Sequence, residues 1–271
     1  MELMRFGVDT SMIAWGGNRL GLYFVEKDAS QRASKVTYDR SHFAIAEASR
    51  ADFDWDKIFE GAEWFHFTGI TPALGGEMPE IWLEALTAAK RAGLTVSCDL
   101  NYRKTLWSRE RVGVMAKPYV DVLIANEEDT SDVFGIRASG TEIEKGELSR
   151  EGYVDVAKRL SDRFGIKKIA ITLRGSISAS DNEWGAMLYA DGEALFSKRY
   201  RVHIVDRVGG GDSFCAGLIY ATQNGYDLQR AVEFSAAASC LKHFIEHDFN
   251  LVTADEIKKL AQGDGSGRVQ R

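Results

Sequence analysis

The stretch of this chain richest in chemistry is Val205-Asp206-Arg207-Val208-Gly209-Gly210-Gly211-Asp212-Ser213-Phe214-Cys215-Ala216-Gly217. It follows a strand and opens a helix. Three consecutive glycines let the backbone turn sharply and approach a ligand with no side chain in the way. Their amides, with those of the first helical turn, sit at the positive end of a helix dipole, which suits the charge of a phosphoryl group. Asp212, directly behind them, can accept a proton from an attacking hydroxyl. The same residues would also make a plain glycine turn with Asp212 as helix cap. Other glycine-rich motifs fail on spacing. A dinucleotide fingerprint needs glycine where Phe214 stands, a hydrolase elbow needs it at Cys215, and no GxxxxGK[ST] occurs.

A second set of residues could hold a substrate. Arg103 lies beyond the carboxyl end of a predicted strand, where its fork of donors could grip a carboxylate or pair with Asp99. Tyr23 and Tyr38 lie on two short strands near the amino end and offer a ring and a hydroxyl to a sugar, or simply pack across the strands. His66, between Phe65 and Phe67, reads as a structural histidine with no catalytic role.

Elements must bring these residues together. Gly21 to Lys27 and Lys35 to Arg40 read as an antiparallel pair. From about residue 54 helices and strands alternate. Helices are expected over Asp54 to Ala62, Pro79 to Ala92, Arg109 to Ala116 and Gly152 to Phe164, with strands at Trp64 to Gly69, Thr95 to Leu100, Val120 to Ala125 and Lys168 to Leu173. Glu183 to Ala190 and Ala194 to Lys198 flank the hairpin signal Asp191-Gly192. Helices at Asp212 to Asn224, Leu228 to Phe244 and Ala254 to Gln262 complete the chain. Repeated strand–helix order predicts an α/β fold, a mainly parallel sheet with helices on both faces, and ligands at the carboxyl ends of the strands. Residues 14–43 form a small β lid with 1–13 leading in, 44–262 form the α/β domain, and 263–271 form a flexible tail.

Composition narrows the function. The chain has 271 residues, 45% hydrophobic and 27% charged, enough for a sizeable core without staples. Its 34 basic residues are scattered among 40 acidic ones for a net charge of −6, with no basic stripe for nucleic acid. No stretch is long and apolar enough for a membrane, and the first residues lack the pattern of a signal peptide. Cys98, Cys215 and Cys240 lie apart in apolar segments, as reduced buried thiols of a cytoplasmic protein.

Asp206-Arg207-Val208-Gly209-Gly210-Gly211-Asp212 resembles the second signature of the PfkB, or ribokinase-like, carbohydrate kinases, D-[TV]-x-G-[AG]-G-D. The resemblance extends over nearly the whole chain. Asn126-Glu127-Glu128-Asp129 is similar to the family's N-x-x-E segment, with Asp129 where Glu is usual. Thr172-Leu173-Arg174-Gly175 is similar to its nucleotide-contacting turn. The resemblance implies a three-layer ribokinase-like sandwich, ATP and Mg²⁺, and Asp212 as base over the Gly209–Gly211 anion hole. Asn126, Thr172, Arg174, Gly175, Gly209 and Gly211 would contact nucleotide, and Asn126 and Asp129 would hold the metal through water. Phe67 to Leu74, Cys98 to Trp107 and Val36 to Arg40 resemble segments of the kinases of 2-keto-3-deoxygluconate. That implies a sugar acid held by Tyr23, Tyr38, Arg40, Ile70, Arg103 and Asp248, and a homo-oligomer formed through the lid strands.

The chain also departs from the family pattern. It is expected to lack the family's first strand and its Gly-Gly segment, since Phe6 to Ser11 resembles a stretch well inside the amino-terminal third. Arg207 stands where a small residue is usual, and His247 replaces the glycine before Asp248. A kinase of a neutral sugar would leave Arg103 and Arg40 without an anionic partner. An inactive regulatory homologue, or a generic nucleotide-binding module, would have no use for the complete glycine turn and Asp212.

Overall fold

The computed structural model describes residues 2–32, 34–101, 119–126, 150–263 and 265. After a short helix α1 (Glu2–Arg5), strands β1 (Leu22–Glu26) and β2 (Lys35–Asp39) pair antiparallel with Tyr23 opposite Tyr38. They form a two-stranded sheet of their own, separate from the main one.

The main sheet begins after α2 (Trp55–Ile58), which Asp54 caps by accepting from the Lys57 amide. This helix is shorter than its expected span to Ala62, because the chain turns through Phe59 and Gly61, the latter at φ +72°. There follow β3 (Trp64–Thr68), α3 (Met78–Arg91), β4 (Thr95–Asp99), β5 (Val122–Asn126), α4 (Arg150–Phe164) and β6 (Lys168–Ser176). The predicted helix from Arg109 to Ala116 lies outside the described residues.

Next come β7 (Asp181–Ala190), β8 (Glu193–Phe196) and β9 (Tyr200–His203), then α5 (Gly210–Gln223), α6 (Leu228–Lys242) and α7 (Ala254–Gln262). The strand order is β3-β4-β5-β6-β7-β8, with β9 also on β7. The first four strands are parallel, and the three pairings made by β7 are antiparallel. Hairpin geometry explains the second half: Asp191 and Gly192 both take positive φ, as a two-residue turn of this type needs. Strand β9 has only four residues, and just Val202 is buried, so its local pattern is weak.

Strand alternation sets the layers. Leu123 and Ala125 face a core shared with Trp82 and Leu86 of α3 and Val156 and Leu160 of α4. Val122 and Ile124, from the same strand, face Phe214 and Leu218 of α5 and Val232 and Phe234 of α6. Leu86, Leu123, Leu160 and Ile169 are fully buried, each contributing about 1.5–3 kcal/mol from burial alone. Helices α5 and α6 pack closely: a Cβ on Gly217 would lie 2.9 Å from the Ser235 Cα. All three cysteines are free and buried.

Parallel pairing puts the carboxyl ends of β3 to β6 at one edge, with Thr68 beside Asp99 and Asn126 beside Thr172. The amino terminus of α5 opens at that edge, and the two-stranded sheet folds over it.

Candidate active site

A cavity of about 530 Å³ lies at this edge, between the two-stranded sheet and the sheet's carboxyl ends. Its floor is Gly209, Gly210, Gly211 and Asp212, the turn and first residues of α5. Gly209 takes φ +78°, and a Cβ there would lie 2.6 Å from the Asp248 carbonyl oxygen, so only glycine fits. Gly211 is different: a Cβ there would meet nothing within 4 Å, because its side opens into the cavity. Asp212 faces the same space from the first helical turn.

The lid supplies the roof. Tyr23 and Val25 on β1, with Lys27 just past its end, and Val36 and Tyr38 on β2, with Arg40 just past its end, line the cavity, sharing a face because alternate side chains point the same way. The Arg40 guanidinium lies 4.4 Å from the centroid of the Tyr38 ring, a cation–π contact that orients it. Tyr23 Oη donates to Asp248 Oδ1 at 2.7 Å. Burial first, and then that carboxylate, push the phenol up to about 12, so it stays a donor at neutral pH. Ile70, Asn126 and Thr172 complete the walls.

Asp206 ties the parts together. Its buried carboxylate accepts from the Val208 amide at 3.0 Å, the His247 amide at 3.1 Å and Lys27 Nζ at 2.7 Å. One side chain thus links the glycine turn, the turn carrying Asp248, and the lid. Burial alone would raise its pKa, but Lys27 and the two amides hold the carboxyl below its ordinary value.

Ten predicted residues line this one cavity: Tyr23, Tyr38, Arg40, Ile70, Asn126, Thr172, Gly209, Gly210, Gly211 and Asp212. Three others, Arg174, Gly175 and Asp248, are not among its lining residues. Asp248 points to Tyr23, and Gly175 lies on β6 opposite Glu183. The Asn182 side-chain oxygen, in the amide orientation that satisfies its neighbours, accepts from Arg174 Nε at 3.0 Å and Arg207 Nη1 at 3.1 Å. Arg207 also donates to the Ala179 carbonyl at 2.6 Å, so it is drawn toward that turn rather than across the glycines. Arg103 and Asp129 lie outside the described residues. His66 shares a hydrogen bond with Ser97, which also accepts from the Trp64 indole.

Sequence reasoning missed Lys27, Asp99 and Asn101, which also line the cavity. Asn101 takes φ +37°, a left-handed conformation that asparagine tolerates better than most residues. Its place directly after a strand was the available signal. Nothing local distinguishes Lys27 from an ordinary strand-end lysine. Cys215 also lines the cavity, but burial raises its thiol pKa strongly, leaving it protonated.

The glycine turn fits a phosphate, since it presents backbone and no side chain to open space at a helix amino terminus. Among the described residues no cluster of three acidic, histidine or cysteine side chains could cage a metal. Among the described residues no helix is long and apolar enough to cross a membrane.

Comparison with known proteins agrees with this geometry. The sequence profile of the pfkB family carbohydrate kinases matches residues 2–243. The 2-dehydro-3-deoxygalactonokinase of Haloferax volcanii is 30% identical over 270 residues, covering 98% of this chain and 78% of that protein. The 2-dehydro-3-deoxygluconokinase of Bacillus subtilis is 29% identical over 244 residues, covering 89% of this chain and 69% of that protein. Among solved structures, the 2-dehydro-3-deoxygluconokinase of Thermotoga maritima superposes with a TM-score of 0.91 at 54% identity, covering 96% of this chain and 78% of that one.

Proposed function

The chain belongs to the pfkB family of carbohydrate kinases, which transfer a phosphoryl group to an alcohol, and on that premise we propose that it phosphorylates a 2-keto-3-deoxy sugar acid, foremost 2-keto-3-deoxygluconate, at its primary hydroxyl using ATP. The observation that carries this reading is the single cavity shared by the glycine turn, Asp212 and the cationic, aromatic lid. Arg40 brings positive charge to a wall that also offers the Tyr38 ring. That mixture suits a substrate with both a carboxylate and a carbon skeleton. The relatives named above act on the gluco and galacto forms, which differ at one hydroxyl.

In the proposed reaction Asp212 takes the proton of the primary hydroxyl as that oxygen attacks the γ-phosphorus in line, and ADP leaves. A loose transition state asks little basicity of the carboxylate, so placement matters most. The Gly209–Gly211 amides stabilise charge on the transferring oxygens. Thr172, Arg174 and Gly175 lie on the strand next to β5, on the side where the nucleotide would extend. Mg²⁺, near Asn126 and Asp129, would neutralise phosphate charge. The lid, through Tyr23, Tyr38 and Arg40, excludes water and limits idle ATP hydrolysis. Leu22 and Phe24, on the opposite face of the lid, are 48% and 59% exposed, which supports pairing of lids between two copies.

The test is ADP release with Mg-ATP and 2-keto-3-deoxygluconate, 2-keto-3-deoxygalactonate, gluconate, fructose or ribose, with Asp212→Asn as control. Turnover on the keto acids, reduced about 10²–10⁴-fold in the variant, is expected. Preference for fructose or ribose would sink the acid-substrate reading, and near-normal turnover by Asp212→Asn would remove the base.

A further inference from the structure

The far side of the glycine turn is as specifically built as the side facing the cavity. Ser239, Lys242 and His243 are spaced three and four residues apart near the end of α6, so they share one helix face. That face meets the turn. Ser239 Oγ donates to the Gly210 carbonyl at 2.7 Å. A Cβ on Gly210 would lie 3.0 Å from His243 Cε1, and one on Gly209 would lie 3.3 Å from Lys242 Cε. His243 Nδ1 is anchored to the Ser239 carbonyl at 2.7 Å, and the His243 carbonyl accepts from the amides of Val205 and Asp206.

Lys242 stands out in this face. It is fully buried. Lysine is almost never fully buried unless it is paired. Its ammonium donates to the Ile245 carbonyl at 2.8 Å, in the turn that continues to His247 and Asp248. Burial lowers its pKa, and the nearby carboxylates of Asp206 and Asp248 oppose that and favour the charged form. The same turn presents the His247 amide to Asp206 and the Asp248 carbonyl to Gly209. The Lys242 side chain thus sits where two turns meet, with its stem against Gly209 and its amine on the Ile245 carbonyl.

We propose that Lys242 is a positioning residue for phosphoryl transfer: an internal cation that braces the Gly209–Gly211 turn from behind and fixes its place against the cavity. Methionine would fill most of the same volume but would leave the Ile245 carbonyl without its donor and would remove a positive charge near Asp206 and Asp248. The turn would then relax in the direction that matters for transition-state charge, while the sugar and nucleotide walls stay in place. A charge of this sign, shielded from water behind the amides, also favours negative charge developing in front of them. Lys242 touches no substrate in this account, and it acts through Gly209.

The inference rests on the kinase reading. The experiment compares the full chain with Lys242→Met and Lys242→Ala, measuring kcat, both KM values and melting temperature. Rates are taken in ammonium chloride and in sodium chloride at equal ionic strength. Lys242→Met is expected to fold, with kcat down about 30-fold and both KM values changed less than about threefold. Lys242→Ala is expected to regain roughly tenfold in ammonium over sodium, because the free cation occupies the vacated place, while the unaltered chain shows no such response. A purely structural lysine would lower the melting temperature without the kcat change or the ammonium effect. Overturning results are a folded Lys242→Met with kcat near that of the unaltered chain, or a rise confined to KM. If Lys242→Met does not fold, equal rates of Lys242→Ala in the two salts overturn it. No turnover by the unaltered chain on any sugar would instead fail the kinase reading, and this inference with it.

Discussion

Tyr23 Oη donates a 2.7 Å hydrogen bond to Asp248 Oδ1 across 225 residues of sequence, joining the lid to the turn behind the glycine floor. With Lys27 on Asp206 it makes two polar ties between lid and floor. Both involve residues of β1 or its immediate end, so the two-stranded sheet and the glycine turn are physically coupled.

Removing the first tie should weaken the closed state. The Tyr23→Phe change deletes one hydrogen bond to a carboxylate and keeps the ring. A loss of about 1–2 kcal/mol is expected, read as a roughly tenfold rise in sugar KM with little change in melting temperature. Steady-state kinetics at saturating ATP check this, and an unchanged KM would show that the lid closes without the tie.

The second tie predicts a pH dependence. Asp206 is held below its ordinary value of 3.8 by Lys27 and the amides of Val208 and His247, against the opposing effect of burial. A carboxyl depressed in the fold contributes stability that is fully present above that value and lost as pH falls through the lower folded one. Melting temperatures followed from neutral pH into acid should therefore fall at the acid end, and Asp206→Asn should flatten part of that fall. At neutral pH the same variant should cost about 1–3 kcal/mol, since buried amides lose a charged acceptor.

Two glycines should respond in opposite ways to the same change. Gly217→Ala puts a methyl 2.9 Å from the Ser235 Cα, and backbone cannot yield cheaply, so a loss of about 1–3 kcal/mol in stability is expected. Gly211→Ala meets nothing within 4 Å. It should leave stability intact or slightly higher, yet abolish most turnover, because the methyl projects into the space read as the phosphoryl site. Melting temperature and kcat measured on both variants check the contrast.

His247 takes φ +68°, a left-handed conformation that costs a non-glycine residue about 1–2 kcal/mol. His247→Gly should therefore stabilise the chain by about 0.5–1 kcal/mol in urea unfolding, with its amide still donated to Asp206. A destabilised variant would mean that the imidazole itself makes a contribution.

Much of this molecule can be read from order and spacing. The glycine turn, Asp212 and the strands that lead to Asn126 and run through Thr172 are local signals. The alternation of Leu123 and Ile124 between the two cores follows from strand period alone. Where local signal was weak, reading failed. Helix α2 is shorter than its pattern predicts, and β9, four residues with one buried side chain, carries no strand signal. Helix α6 reads as an apolar helix rich in small residues, and nothing in its spacing says that Ser239, Lys242 and His243 face a backbone turn rather than the core.

Sequence by itself determined the α/β class, the glycine turn with its acid, and the placing of Tyr23 and Tyr38 on a small antiparallel strand pair. These depend on periodicity and on the conformational freedom of glycine, which act over a few residues. Only the tertiary structure decided that Lys27 meets Asp206, that Asp248 meets Tyr23, and that a buried Lys242 lies behind Gly209. Those contacts join segments that are distant in the chain, and a charge or hydroxyl shows its partner only once the sheet has brought both to one edge.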